Sequence, residues 1–110
     1  MSTYVYKVLG QVNPSANTLT TLYTVPASNS AVLSTISICN LGSTAATFRV
    51  AVRPNGDAIA NKHYLNYDTT IPGNDAITAT LGITLANNDV VSVNASSASI
   101  TFNAFGSEIY

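Results

Sequence analysis

Apolar and polar residues alternate with a period of two along almost the whole chain, which is the pattern of half-buried β-strands. The clearest stretch is residues 47–53, where Phe48, Val50 and Val52 occupy alternate positions. Arg49 and Arg53 belong to the other set of positions, so a slip of one residue would turn both arginines into the core. The pattern therefore fixes the register of this strand and predicts that Phe48, Val50 and Val52 are core residues.

Clusters of Asn, Pro, Gly and Ser interrupt the alternation and predict turns. These clusters lie at residues 13–17, 26–30, 40–43, 54–57, 71–75, 87–89 and 96–97. The strands predicted between them span residues 4–9, 18–25, 31–41, 47–53, 77–85, 90–93 and 100–105, with a bulge at Gly82. Residues 58–67 are either a further strand or an irregular crossing segment.

Seven to eight short strands with regular turn signals predict an all-β fold. One domain is expected at this length, so residues 1–110 are predicted to form a single antiparallel β-sandwich. The sandwich is either immunoglobulin-like or jelly-roll-like, because both architectures show this spacing of strands and turns. No segment with a helical period is long enough to predict an α-helix.

Charged residues make up only 8% of the chain, against about a quarter in ordinary globular domains. Residues 28–48 and 76–88 contain none. Thr, Ser and Asn occupy the outward positions of the predicted strands, where Lys and Glu are usually found. Such an exterior is poor at keeping a lone domain soluble and is suited to contact with other protein. A homo-oligomer is therefore predicted.

The composition argues against several kinds of partner. The formal net charge is −1 and the four Lys and Arg residues are scattered, so the chain lacks the basic stripe that nucleic acid requires. No apolar run reaches the roughly 18 residues of a membrane span. The first residues carry no targeting signal and enter a strand-like pattern at once. We therefore expect neither nucleic acid nor a membrane as a partner.

Candidate catalytic and metal-binding residues are few. His63 is the single histidine and has no nucleophile or orienting acid in a fitting context, so a surface or interface position is predicted for it. Cys39 is the single cysteine and lies in an apolar run, which predicts a buried, inert thiol. The Asn and Asp clusters are typical of turns rather than of calcium sites. We expect no enzymatic activity, no metal and no cofactor.

Tyrosine is the most informative aromatic residue, since the chain has six tyrosines and no tryptophan. Tyrosine is enriched at protein interfaces, although edge or core packing explains at least half of those present. The candidate interface residues are Tyr4, Tyr6, Arg49, Arg53, Tyr64 and Tyr67. Tyr64 and Tyr67 are also the pair that would line a carbohydrate groove. Residues 1–11 form a strand that pairs either with its own sheet or, as an inter-subunit strand, with a neighbouring edge.

Several segments distributed over nearly the whole chain carry a family resemblance. They are Tyr6-Lys7-Val8-Leu9-Gly10-Gln11, Leu22-Tyr23-Thr24-Val25-Pro26-Ala27, Ile38-Cys39-Asn40, Phe48-Arg49-Val50-Ala51-Val52, Tyr64-Leu65-Asn66-Tyr67-Asp68 and Phe102-Asn103-Ala104-Phe105-Gly106-Ser107-Glu108. In these segments the chain resembles a family of small virion structural proteins of tailed bacteriophages, many of them from phages of cyanobacteria and other aquatic bacteria. These motifs are structural rather than catalytic, so the resemblance implies no active-site residues.

The resemblance implies a non-enzymatic virion structural protein, and the role expected first is capsid decoration (cement) that stabilises the head by binding between capsomers. The alternatives are a tail or neck fibre component and a carbohydrate-binding host-recognition module. The expected partners are copies of the chain itself, with a trimer favoured, and the major capsid protein or other virion proteins. The protein is expected to be made in the host cytoplasm and to reside in the virion.

Overall fold

The structure, a computed structural model, describes residues 2–110 and is built from β-strands. The strands in this part of the chain are β1 (Tyr4–Val12), β2 (Thr20–Thr24), β3 (Ser30–Asn40), β4 (Ala46–Arg53), β5 (Tyr64–Ile71), β6 (Ala76–Leu85), β7 (Val90–Ala95) and β8 (Ile100–Ile109). Two short 3₁₀ helices, Pro54–Gly56 and Asn61–His63, lie between β4 and β5. The all-β prediction is confirmed.

The strands form two four-stranded antiparallel sheets with the orders β1-β8-β3-β6 and β2-β7-β4-β5. We call the first sheet A and the second sheet B. The first strand pairs with the eighth, the second with the seventh, the third with the sixth and the fourth with the fifth. The chain is therefore one long hairpin wrapped into a sandwich, which is the jelly-roll arrangement. Of the two architectures predicted from the sequence, the immunoglobulin-like one is excluded.

The core lies between the two sheets and is built from the inward residues of the alternating strands. Its largest fully buried hydrophobic side chains are Phe48, Phe102, Leu33, Ile36, Ile38, Ile71, Ile100, Val25, Val50, Val91 and Val93. The rings of Phe48 and Phe102 meet edge to face across the sandwich with their centroids 6.3 Å apart. The core prediction is confirmed for Phe48 and Val50, whereas Val52, near the end of β4, is only half-buried and packs against the core from its rim.

The turns follow the sequence signals closely. Asn17, Asn55, Asn74 and Asn88 have a positive φ, and each lies in a cluster that predicts a turn. Asn tolerates this left-handed conformation better than most residues do. Gly82 also has a positive φ, and the pairing of β3 with β6 shifts register there, so the predicted bulge is confirmed. Residues 58–67 are irregular and 3₁₀-helical until β5 begins at Tyr64.

The two lateral sides of the sandwich differ. On the β1–β2 side the sheets approach so closely that a Cβ on Gly10 would overlap the Leu22 carbonyl oxygen. On the β5–β6 side the inward residues Ile77, Leu81 and Ile83 remain half-exposed. The sandwich is therefore closed along one lateral side and open along the other.

Two predictions about burial are wrong. His63 is only 5% exposed, because the 3₁₀ helix before β5 turns it against the end of the sandwich. Its Nδ1 accepts a hydrogen bond from the Ala60 N–H at 3.0 Å, and its Nε2 has no partner among residues 2–110. Cys39 is half-exposed rather than buried, since it occupies an outward position of β3 between the buried Ile38 and Asn40.

Candidate functional site

Four of the residues on the outer surface of sheet B form one compact group, which we call the Arg49 cluster: Arg49, Tyr64, Tyr67 and Asp68. Arg49 donates to both carboxylate oxygens of Asp68, at 2.7 Å from Nε and 3.2 Å from Nη2. Its guanidinium carbon lies 4.0 Å from the centroid of the Tyr67 ring. The rings of Tyr64 and Tyr67 meet edge to face at 4.9 Å. Three of the six candidate interface residues are thus brought together.

A bulge in β5 builds this cluster. Phe48 pairs with Thr69 and Val50 pairs with Asn66, so the two residues between them on β5 both lie opposite Arg49. Asp68 takes a positive φ of 52° at this point. The bulge therefore presents a carboxylate and an aromatic ring to the same guanidinium.

The electrostatics of the cluster are balanced internally. The hydrogen bond from Arg49 lowers the pKa of Asp68, and the same bond raises the pKa of Arg49. Both groups are therefore charged at neutral pH, and their charges cancel. The Arg49 charge is already matched within the chain before any acidic partner arrives.

Arg53 has a different role in the structure, although it too lies on β4. Its guanidinium donates to the carbonyl oxygens of Asp57 at 2.6 Å and Gly56 at 3.1 Å, and to Ser92 Oγ at 3.2 Å. These bonds tie the 3₁₀ turn after β4 to the sheet. Arg53 is not part of the Arg49 cluster and acts in the structure as a loop anchor.

A groove of about 220 Å³ adjoins the cluster. Its polar lining side chains are Asn17, Thr47, Arg49, Asp68, Asn94 and Ser96. Amide, hydroxyl and carboxylate groups of this kind can both donate to and accept from the hydroxyl groups of a ligand. The groove and the two tyrosines therefore provide the chemistry of a small polar binding site.

The outer surface of sheet A has an entirely different character, and we call it the neutral face. Tyr4, Tyr6 and Val8 lie side by side on β1 and are 61%, 84% and 46% exposed, and Phe105 of β8 is 37% exposed. Most of the other outward residues carry hydroxyl, amide or small side chains: Gln11, Thr101, Asn103, Ser107, Ser30, Ser34, Thr35, Ser37, Cys39, Ala76, Thr78, Thr80 and Thr84. Val32 and Ile109 add two apolar side chains. No Lys, Arg, Asp, Glu or His of residues 2–110 is among these outward residues.

The charged side chains are all placed elsewhere. Arg49 and Asp68 lie on sheet B, Glu108 is buried between the sheets, and Lys7 lies at the β1 edge, 45% exposed, with its ammonium group turned to Glu108. The others lie in turns and short helices between strands or, in one case, at a strand end: Arg53, Asp57, Lys62, Asp75 and Asp89. Tyr4 and Tyr6 thus belong to a surface opposite to that of Tyr64 and Tyr67, and the candidate interface residues fall into two separate groups.

Glu108 forms a polar link between the sheets that the sequence analysis did not anticipate. The carboxylate is buried, at 8% exposure, and its Oε2 accepts from the Tyr23 hydroxyl of β2 at 2.6 Å. Its Oε1 accepts from Lys7 Nζ at 3.3 Å. The hydrogen bond from Tyr23 is the main cause that lowers the pKa of Glu108, and the ammonium group of Lys7 adds to it. Burial and the nearby carboxylate raise the pKa of Tyr23.

Residues 2–110 contain neither a metal-binding cluster nor a helix able to span a membrane. No group of three or more His, Cys, Asp or Glu side chains is placed to hold a metal ion. None of the helices has the length and apolar character to cross a membrane.

Two solved structures contain chains that are similar to this one. A chain in the acidic stable capsid structure of Helicobacter pylori bacteriophage KHP30 aligns with a TM-score of 0.53 and 16% identity, covering 100% of this chain and 94% of that one. A chain in the structure of infectious bursal disease virus Gx strain aligns with a TM-score of 0.46 and 7% identity, covering 98% of this chain and 31% of that one. No protein-family model matches the sequence, and no curated protein matches it at a significant level. The first likeness shows a shared fold.

Proposed function

We propose that this chain is a non-enzymatic structural protein of a bacteriophage virion, and that it decorates the capsid and stabilises it between capsomers. The neutral face is the observation that carries the proposal. The sequence resemblance to small phage virion proteins supports it, as does a fold shared with a chain of a phage capsid structure. Its proposed partners are further copies of itself and the major capsid protein or other virion proteins.

The neutral face makes physical sense on a protein that works inside an assembly. A free domain with a sheet surface lacking charge is prone to associate, because little in that surface resists contact with another protein. Leaving a buried charge without a partner is strongly destabilising. A face that carries no charge can be buried without this cost. On a symmetric shell the contact is repeated many times, so a modest affinity of each copy is enough.

Copy number in purified particles tests the decoration role. A decoration protein is present in an amount comparable with the major capsid protein, whereas a tail or neck fibre component is present in far fewer copies. Quantitative mass spectrometry of particles from which free protein has been removed distinguishes the two. Particles that lack the protein should also lose their DNA at a lower temperature, and adding back the purified chain should restore them. Low copy number with unchanged particle stability would contradict the decoration role and favour a fibre.

The role of β1 as an inter-subunit strand stays a proposal. β1 pairs with β8 of its own chain from Tyr4 to Val12, and no strand of residues 2–110 lies along its other edge. A neighbouring subunit can add a strand there. Deleting the segment is a poor test, because Leu9 belongs to the core and the loss would uncover β8. Thr3 and Tyr110 exchange both of their backbone hydrogen bonds, so the N–H of the next residue, Tyr4, points away from β8 toward the free edge. Tyr4→Pro therefore blocks that edge without removing a bond to β8, and Tyr4→Ala controls for the loss of the side chain. An assembly that Tyr4→Pro leaves unchanged would speak against edge pairing.

A second candidate function is carbohydrate binding at the Arg49 cluster and its groove. The specific observation is the pair of adjacent, partly exposed tyrosine rings beside polar groups that can bond sugar hydroxyls. The guanidinium carbon of Arg49 lies 4.0 Å from the centroid of Tyr67 and 6.0 Å from that of Tyr64, so Tyr64 is the ring that Arg49 covers less. Binding to a glycan array that is lost in Tyr64→Ala and kept in Tyr4→Ala would support this function. No binding to any glycan by the native chain would reject it.

A further inference from the structure

We propose that the neutral face is the contact surface between two copies of this chain, which pack against each other through sheet A. The inference deepens the proposed function by naming the partner of this face, and it rests on that function only for its biological setting. Pairing of the purified chain in solution is a separate property, so the two can fail independently.

The absence of charge selects a second copy as the partner. A two-fold contact places the same patch on both sides, so any charge on the patch tends to meet its own like. The outer surface of sheet A carries no Lys, Arg, Asp or Glu of residues 2–110 on any of its four strands. If the partner surface carried charges, those charges would lose their hydration against this face and would find no opposite charge there. A copy of the same face avoids that cost completely.

The polar groups of the face are self-complementary. Its hydroxyl groups each donate and accept, and the amides of Gln11 and Asn103 do the same through separate atoms. Gln11 already donates to Asn103 on the face at 2.6 Å, which shows that such groups satisfy one another there. A surface of carboxylates or ammonium groups could not pair with a copy of itself in this way. The rows of Thr and Ser can.

The dimensions of the face reach the lower end of the area that a stable pair buries, which is about 1,200 Å² over both partners. The strands of sheet A have 9, 10, 11 and 10 residues. At about 4.8 Å between strands and about 3.3 Å per residue the face measures roughly 19 Å by 33 Å, or about 630 Å² before side-chain relief is counted. A standard interface buries about 800 Å² on each partner. Nearly the whole of sheet A is therefore needed, which fits the absence of charged side chains at the outward positions of all four strands.

Exposed aromatic residues supply the anchors. Tyr6 is the most exposed of them at 84%, and Tyr4, Val8 and Phe105 lie next to it. Tyrosine is enriched among the residues that contribute most to interfaces, because it buries a large area at a small entropic cost. In a two-fold dimer each of these residues contributes from both subunits. The trimer favoured from the sequence stays a prediction, whereas the self-complementary face favours a dimer.

Charge introduced on the face tests the inference. Tyr6→Lys brings two like charges into the contact, and we expect the dissociation constant of the dimer to rise at least about 100-fold. Tyr6→Glu should do the same, and an equimolar mixture of the two variants should pair more tightly than either variant alone, because the mixed contact carries no net charge. The matched control is Thr70→Lys, which adds a charge to an exposed position of sheet B. Sedimentation velocity of the purified full chain over a range of concentrations measures the equilibrium.

Thr84→Lys on β6 is a second variant on the same face, for use if the substitution at Tyr6 disturbs folding. Labelling of Cys39 gives an independent readout, because this thiol is half-exposed on the neutral face. It should react slowly in the dimer and faster in the variants. A native chain that stays monomeric, that forms trimers, or whose dimer survives both lysine variants overturns the inference. A dimer of the expected behaviour that never binds capsids supports the inference and rejects the decoration role.

Discussion

Removing the Tyr23 hydroxyl is the sharpest test of how the two sheets are held together. Tyr23→Phe deletes one oxygen and leaves the ring in place, so the packing of β2 is preserved. The Glu108 carboxylate then stays buried with a single remaining side-chain donor, Lys7, whose side chain is 45% exposed. We expect a clear loss of stability with no change of fold.

The size of the loss follows from the geometry. The hydroxyl donates to an ionised carboxylate at 2.6 Å in a buried setting, and hydrogen bonds to charged groups contribute about 1.5–3 kcal/mol to stability. With an unfolding entropy of about 2.1 cal/mol/K per residue, a chain of 110 residues loses about 4 °C of melting temperature for each kcal/mol. Tyr23→Phe should therefore lower Tm by about 6–13 °C. Differential scanning calorimetry at pH 7 measures this shift.

The pH dependence gives a second, independent readout. Tyr23 and Lys7 lower the pKa of Glu108 in the folded chain, whereas in the unfolded chain the pKa is near its usual value of about 4.3. A group with a lowered folded pKa contributes stability that is present above the unfolded pKa and is lost as the pH falls through the folded value. Because Tyr23 is the main cause of the shift, Tyr23→Phe should lose less stability in acid than the native chain loses.

The matched control is Tyr6→Phe, which removes a hydroxyl from an 84% exposed tyrosine. It should leave both Tm and the acid dependence unchanged, measured on the unpaired chain at low concentration. Equal melting temperatures for the native chain and Tyr23→Phe, or parallel losses of stability between neutral and acid pH, would refute the idea that Glu108 joins the sheets through Tyr23.

Further predictions concern the packing of the sandwich. Gly106→Ala should prevent stable folding, because the new Cβ would overlap the Val32 carbonyl oxygen of the neighbouring strand. Circular dichroism and urea unfolding measure the effect, and a native-like unfolding transition of the variant would contradict this prediction. Ile38→Ala should cost about 2–5 kcal/mol, since Ile38 is 1% exposed. Ile77→Ala, at the position on β6 paired with Ile38, should lower the free energy of unfolding clearly less than Ile38→Ala, because Ile77 is half-exposed at the open β5–β6 side. Equal losses in urea unfolding would show that the β5–β6 side is closed.

The local features of the fold were predictable because they depend on neighbouring residues. Alternation of apolar and polar residues marks strands, and Asn at positive φ marks turns, as at Asn55 and Asn88. The choice between a jelly roll and an immunoglobulin-like sandwich was not predictable. Both have the same alternation, and they differ in which distant strands pair, such as β1 with β8.

The missed features depend on residues far apart in the chain. Glu108 lies beyond the predicted end of the last strand, and its partner Tyr23 is 85 positions away. The position of His63 depends on a 3₁₀ helix that carries no hydrophobic period. Asp68 meets Arg49 through a bulge formed by Tyr67 and Asp68, neither of which is the Gly or Asn that usually signals a positive φ. The exposure of Tyr4, Tyr6 and Val8 runs against the alternation, because Lys7 occupies the other set of positions and would be expected to face outward.

The scarcity of charge turns out to be a property of one surface rather than of the whole exterior. Sheet B keeps an ion pair on its outside, whereas sheet A has none, so the two faces of the subunit cannot serve the same partner equally well. Packed sheets lie about 10 Å apart, so two copies joined through sheet A would form four layers with their sheets B about 30 Å apart. Each Arg49 cluster would then point away from the contact. A dimer of this kind leaves both clusters and both grooves free for a second partner, which a dimer formed through sheet B would bury.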